Sequence, residues 1–585
     1  MGKLLVTTSD QRTWKLDEDI LFLGNWCCLP SESEKWQNLN VDVLPYHWDN
    51  SEKYHSDYHY LDSCYEEVLR TIVPILNKHH KTNHGVRYWR ILIGPWLYLF
   101  IHVLYDRWSM IERIPKKNNI KAILVLDPED ELIPRDLRGM NPDDTRWNQF
   151  LYACAIKEMS GIKWKEILGE KKDIIQGHIV LKDHNSLILS FKKLVRFILN
   201  KLTFKDEYFL ISTYLPRKIE SYLLLSLRQI PKFWISPSIP QIFPNLDIRR
   251  TLVTQLKDSD NDKFKVFLSK MLFRQIPTIY LEGYSILMKK IEELPWPTKP
   301  KGIFTSNAYQ FDEVFQAWTA KHAEAGTPLI IGQHGGFYGT GRVIAGEDHQ
   351  VKIADRFLTW GWSDKRPSVY PFYSLINMGK KKMQCDPNGD LLLVTVPIRT
   401  MSFKCSSWAV GPNQSQHFVN DQLNFVQAID KNIQKKLVVR IHKELDKKMN
   451  SAFIPKWKNK FPDVRIDFSQ KPIKNIIQKS RLFIYTYNST GFIEALSNNI
   501  PTVIFWNPDY WQLRDNAKPF FKILEDAKIF FTNPISAAHH VNEIWTDINK
   551  WWLLDTVQTA RTSFCEQYFR TTNIPIKEIR KALIF

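Results

Sequence analysis

The segment Tyr485-Thr-Tyr-Asn-Ser-Thr-Gly-Phe-Ile-Glu494 concentrates groups that can handle phosphate. An apolar run ends at Tyr487, and Asn488 or Ser489 is placed to cap a helix that opens at Thr490 or Gly491. Such an opening presents free backbone N–H groups and the positive end of the helix dipole, which bind phosphate without a metal. The hydroxyls of Ser489 and Thr490 add donors, and Glu494, one turn inward, suits ribose hydroxyls or support of the cap. The plain alternative is an ordinary capped helix. A second group is Val438-Val-Arg-Ile-His442-Lys443, an apolar run that ends in three basic residues. Arg440 and His442 alternate with Val439 and Ile441, so they share one strand face. A protonated imidazole there can act as general acid toward a departing phosphate. A structural histidine beside a surface lysine is the alternative.

The third group is Gly332-Gln-His334-Gly-Gly336-Phe-Tyr338-Gly339. His334 follows an apolar run and is succeeded by two glycines, which let backbone approach a ligand closely. We read it as a cleft-facing loop, with His334 as a candidate catalytic base and Gln333, Gly335 and Gly336 on the acceptor side. A tight turn with a core histidine is the alternative. Arg87 joins the acceptor-side set, near an aromatic stretch that runs through Trp89 to Trp108 and fits core packing better than sugar stacking. No GxGxxG, P-loop, HExxH or GxSxG pattern occurs. The acidic pairs Asp17/Asp19 and Asp258/Asp260 sit in polar surroundings and read as solvated loops, so no metal and no cofactor are expected.

The elements that must position these groups alternate between strand and helix. Residues 121–127, 302–307, 329–332 and 356–362 read as short buried strands in the N-terminal portion of the chain. In the C-terminal portion the strand runs are 391–398, 436–442, 464–468, 481–487, 502–506 and 529–532. Residues 61–110 and 187–230 read as helical, and 231–250 as irregular. The alternation predicts doubly wound parallel sheets, whose ligands bind at the carboxyl ends of the strands. The polar stretch 377–389 is the expected boundary between an N-terminal α/β domain with helical insertions, 1–385, and a C-terminal domain, 386–585, that binds sugar nucleotide.

The chain has 585 residues, too many for one core. Lys and Arg number 80 against 62 Asp and Glu, a net charge of +18 spread along the chain. That balance suits phosphorylated substrates and a peripheral contact with an anionic inner membrane face. Seven cysteines without a CxxC pair argue for a reducing compartment, and the N-terminus lacks a signal-peptide pattern. We therefore expect a cytoplasmic protein that binds no nucleic acid.

The sequence resembles a family of transferases encoded in bacterial O-antigen and surface-polysaccharide clusters. The resemblance runs along essentially the full length and rests on LFLGNWCCLP, RYWRILIGPWLYLFIHVLYDRW, IIGQHGGFYG, NSTGFIEALSNNIPTVIFW and VNEIWTDINKWWLLDTVQTA. More distantly, the C-terminal half is similar to GT-B transferases that use CMP-activated sugars and to CDP-glycerol polymerases. The resemblance implies a GT-B-like α/β fold, two Rossmann-like domains facing a cleft, with the last helices packing back on the N-terminal domain. It places His442 and the Ser489–Thr490 pair on donor phosphate. Those GT-B and CDP-glycerol enzymes carry a His-Pro motif where this chain has His442-Lys443, which leaves the donor nucleotide open. The implied reaction moves a sugar from a nucleotide donor onto a glycan or lipid-linked glycan. A glycerol-phosphate or pyruvyl donor, or a non-catalytic basic module binding membrane or nucleic acid, are the competing readings.

Overall fold

The computed structural model describes residues 2–584 except 16, 30–31, 115–119, 160, 170–203, 257–260, 397–403, 405–408, 442–446 and 468–472. Among the described residues, the strands form three sheets. The first contains β1 (Leu4–Val6), β2 (Ile20–Phe22), β3 (Val41–Val43), β4 (Lys121–Leu126) and β5 (Lys163–Leu168), in the order β3-β2-β1-β4-β5. The second runs in simple succession: β6 (Tyr208–Leu210), β7 (Gly302–Thr305), β8 (Leu329–Gly332), β9 (Arg356–Leu358) and β10 (Val369–Tyr370). The third contains β11 (Asp390–Thr395), β12 (Leu437–Ile441), β13 (Arg465–Asp467), β14 (Ser480–Tyr485), β15 (Thr502–Phe505) and β16 (Phe530–Phe531). Its order is β13-β12-β11-β14-β15-β16. Pairing within each sheet is parallel, as the apolar runs predict.

The α/β class with parallel sheets is therefore as expected, but the span 1–385 holds two five-stranded sheets where the alternation suggested one unit with helical insertions. Strands β1, β2 and β3 have 3 residues each, shorter than the usual hydrophobic signal, and β5, KWKEIL, is exposed at every position. The helical reading of 187–230 also changes. Its described portion contains β6 and the helix Arg217–Ser226, while the rest lies outside the described residues.

Six helices matter for the site. α1 (Ser51–His80) is capped by Asn50, whose side chain accepts from the Lys53 amide. α2 (Val86–Glu112) is buried on nearly all sides, so its tryptophans are core. α3 (Arg217–Ser226), α4 (Ala345–Ile353), α5 (Thr490–Ser497) and α6 (Pro575–Leu583) follow. The second sheet alternates strictly. Phe209, Ile303, Ile331 and Phe357 enter the main core, while Leu210, Phe304, Ile330 and Leu358 face a second cluster closed by Leu223 and Leu224 of α3 and Ile579 and Leu583 of α6. The C-terminal helices thus return to the second sheet. Arg570 N–H donates to Trp360 O at 2.8 Å, and Arg570 O accepts from Ser374 N at 2.8 Å.

Candidate functional site

In the third sheet the strand order reverses direction between β11 and β14, and crevices open at such points beyond the carboxyl ends. Thr486 Oγ1 ties the two ends together by donating to Val394 O at 3.1 Å. Asn488 is buried just beyond. Its Nδ2 donates to Thr340 Oγ1 at 3.0 Å, and its Oδ1 has no hydrogen-bond partner. Ser489 holds the N-cap position of α5 in extended geometry, but its side chain does not cap the helix and lies instead with the hydroxyls of Tyr485 and Tyr487. Gly491 is required by packing. A Cβ there would lie 1.5 Å from the Tyr485 hydroxyl. Glu494 sits 3.8 Å from Lys380 of the 377–389 stretch.

The glycine-rich loop meets this helix opening directly. Gly336 N donates to Thr490 Oγ1 at 3.0 Å, and a Cβ on Gly336 would lie 2.6 Å from Thr490 Cα and 2.8 Å from its nitrogen. Only glycine allows that approach. The loop is held from both sides. Gln333 is buried, with Nε2 donating to Gly335 O at 2.7 Å and Oε1 accepting from Trp360 N and Trp362 Nε1 at 2.9 and 2.8 Å. It fixes the loop's shape, so its role is structural and not that of an acceptor contact. From the third-sheet side, Arg514 Nε donates to Gly341 O at 2.8 Å, and Gly341 pairs with Leu513 in an isolated antiparallel bridge. The carboxylate of Glu347 joins the two sides. It is fully buried, accepts from Gly339 N at 2.8 Å, and pairs with Arg366 at 2.6 Å and Arg514 at 2.8 Å.

His334 is brought to within two residues of the Gly336 contact, partly open to solvent. Its ring lies 6.0 Å from Tyr214 at 23° and 5.2 Å from Tyr338. Burial lowers its pKa to about 4, against hydrogen bonding to Ser306 backbone and Gln350, so the imidazole is neutral at pH 7. Beside it, Asn307 Nδ2 donates to the Tyr214 hydroxyl at 2.9 Å. Ser212 and Tyr214 both adopt positive φ, 48° and 60°, a costly backbone for residues with side chains. Tyr214 and Asn307 escaped the sequence reading. The polar end of GIFTSN hints at Asn307, whereas nothing in the sequence marks the left-handed turn at Tyr214.

The remaining candidates separate. Arg440 is buried in an ion pair with Asp467 of β13. The guanidinium is therefore met by a neighbouring carboxylate. His442 lies outside the described residues, as do Asp258 and Asp260. Arg87 pairs with Asp355 at 2.6 Å, before β9, at the amino end of the second sheet and so opposite His334. It is therefore not beside the acceptor-side loop. Among the described residues, no group of three or more His, Cys, Asp or Glu side chains is placed to hold a metal.

A pocket open to solvent lies between the start of α1, the glycine-rich loop and the segment beyond β14. Tyr54 of α1, Phe337 and Arg342 of the glycine-rich loop, Lys404, Asn488 and Trp511 line it. Tyr54 donates to Lys404 O at 2.9 Å, and the Lys404 ammonium stands 5.6 Å over the Tyr54 ring.

Several buried histidines share the behaviour of His334. Burial lowers His80, His102 and His322 to about 4 and His349 to about 3, from an ordinary 6.5. At these histidines the unfolded chain therefore binds more protons than the folded one between pH 6.5 and about 4, an effect that the raised carboxyls of Glu313 and Asp421 offset only in part. Stability should be fully present above pH 6.5 and fall steadily as the pH drops toward 4. Thermal unfolding across that interval checks this, and a flat melting temperature would contradict it.

Comparison with solved structures finds MurG from Acinetobacter baumannii at 9% identity, covering 65% of this chain and 99% of MurG, with a TM-score of 0.31. A UDP-forming α,α-trehalose-phosphate synthase from Burkholderia vietnamiensis is similar at 10% identity, 65% and 99% coverage and a TM-score of 0.33. MnaA of S. aureus, in a structure with UDP, is similar at 12% identity, 64% and 95% coverage and a TM-score of 0.31. No curated protein matches the sequence. The profile described as LIC12162 family transferase matches residues 3–583, and the chain belongs to that family of transferases.

Proposed function

We propose that this transferase is a glycosyltransferase that moves a sugar from a nucleotide-activated donor, CMP-linked among the candidates, to a surface-glycan or lipopolysaccharide O-antigen acceptor. The observation that carries the reading is Asn488 Oδ1, buried without a partner beside an open pocket at the reversal point of the third sheet. A buried acceptor left unpaired is costly, and a ligand donor such as a ribose hydroxyl or base N–H satisfies it. The opening of α5 at Ser489 and Thr490, packed against Gly336, is the phosphate site of this reading, with His442, next in sequence after β12, as a further candidate. Arg440, engaged with Asp467, organises β12 and β13 instead. Residues 386–585 hold the donor, and residues 1–385 supply the acceptor side. His334 takes the proton of the acceptor hydroxyl. No metal or cofactor is assigned a role, and a cytoplasmic location at the inner membrane face fits a lipid-linked acceptor.

Binding measured against CMP, CDP, UDP, GDP, CDP-glycerol and phosphoenolpyruvate tests the reading and separates sugar transfer from glycerol-phosphate or pyruvyl transfer. A bound nucleotide at about 100 times its Kd raises stability by about 2.7 kcal/mol. Ser489→Ala with Thr490→Ala should then weaken donor binding by about 1–3 kcal/mol in a folded protein. Absence of any nucleotide response, or unchanged affinity in the double variant, would count against the site.

A further inference from the structure

The outer layer of the second sheet presents apolar side chains among cations. On α3, Lys218, Tyr222 and Leu225 stand at i, i+4 and i+7, on the side opposite the buried Leu223 and Leu224. Tyr222 and Leu225 are 49% and 56% exposed. The next segment, 229–235, runs beside edge strand β6. Gln229 exchanges two hydrogen bonds with Tyr208, Lys232 pairs with Glu207 at 2.7 Å, and Trp234 stacks on Phe209. These inward hooks turn Ile230, Phe233 and Ile235 outward, Ile235 to 66% exposure. The Arg217 guanidinium lies 5.7 Å over Phe233 and joins the segment to α3.

The charge on this face is mostly positive, with Glu578 of α6 half-buried beside the cations. Arg217, Lys218 and Arg228 are exposed, while the carboxylate of α3, Glu220, is buried and accepts from Thr213 Oγ1 at 2.6 Å. The adjoining α6 adds exposed Lys577, Arg580 and Lys581. Apolar side chains framed by cations fit the interface of an anionic bilayer, where cations near the surface are attracted to the lipid headgroups and buried hydrocarbon adds to the binding. Among the described residues, no helix is long and apolar enough to cross a membrane.

We propose that α3 and the segment 229–235 dock the protein on an anionic lipid surface, with Tyr222, Leu225 and Ile235 entering the headgroup layer. The face adjoins the candidate acceptor side, since Tyr214, three residues before α3, stacks on His334. Docking would hold that loop against the lipid, but the proposal does not depend on which donor is used or on transfer itself.

Co-sedimentation of the full chain with vesicles tests it. The protein should pellet with phosphatidylcholine–phosphatidylglycerol vesicles, less as salt rises, and much less with phosphatidylcholine alone. The Tyr222→Asp, Leu225→Asp, Ile235→Asp triple variant, all at exposed positions, should lose about tenfold or more of this binding while its melting temperature holds. Arg217→Gln with Lys218→Gln should weaken binding and flatten its salt dependence. Wild-type protein that stays in the supernatant with anionic vesicles, or a folded triple variant that binds as well as wild type, overturns the proposal. So does a self-association in sedimentation velocity that the triple variant abolishes without any vesicle binding, because a second copy then occupies the face.

Discussion

Replacing His334 by alanine should lower turnover by about 10²–10⁴-fold, the usual contribution of a general base, with donor affinity little changed. The expectation follows from three observations. The ring is neutral at pH 7, because burial keeps its pKa near 4. It is partly open to solvent, with the Tyr214 ring stacked near it and Asn307 bonded to that tyrosine. It also follows β8 by two residues and precedes by two the glycine that touches the opening of α5. The low pKa sets the sign of the pH effect. The base form is already complete at pH 7, so His334 should limit the rate only as the pH falls toward 4, where stability is failing as well. Turnover and donor binding measured separately decide the matter. Turnover within a few-fold of wild type would remove the base role, and a large loss of donor affinity alone would move His334 into the nucleotide site.

Glu347→Ala should produce the largest loss of stability, about 3 kcal/mol or more. One buried carboxylate there satisfies the Gly339 amide and two guanidiniums. Removing it leaves Arg366 with Asp348 and Asp364, but strips Arg514 of the only carboxylate it pairs with among the described residues. Because Arg514 also holds Gly341 O, the second and third sheets should uncouple. Urea unfolding should show a lowered midpoint and a split or broadened transition. Glu347→Gln keeps an acceptor for Gly339 and should recover some of the loss. A variant as stable and cooperative as wild type would show that the loop is held by its glycine contacts alone.

The third sheet was readable because strands buried on both faces appear as continuous apolar runs, and LLLVTV and RLFIY can be little else. The same rule fails for β5, an edge strand with three charged residues in six. The helix opening at Ser489 was readable from local capping chemistry, although its hydroxyl turns to the tyrosines. What no local pattern reveals is who meets whom across the chain. Gly336 with Thr490, Arg514 with Glu347 and Arg440 with Asp467 pair residues from separate segments, and the first and last of these change the meaning of side chains, Thr490 and Arg440, that the sequence had offered as chemistry. Gly491 shows the same effect at short range, its missing side chain demanded by the Tyr485 ring.

The chain leaves the second sheet after Tyr370, builds the third, and returns through its last helices to the second. The outgoing and returning strands of chain lie side by side, stapled by Ser374 N–H on Arg570 O. Two adjacent tethers therefore join the second and third sheets, in addition to the Gly341–Leu513 bridge and the Glu347–Arg514 pair that hold them together. A single proteolytic cut in 377–389 would, for the same reason, leave the two bodies joined.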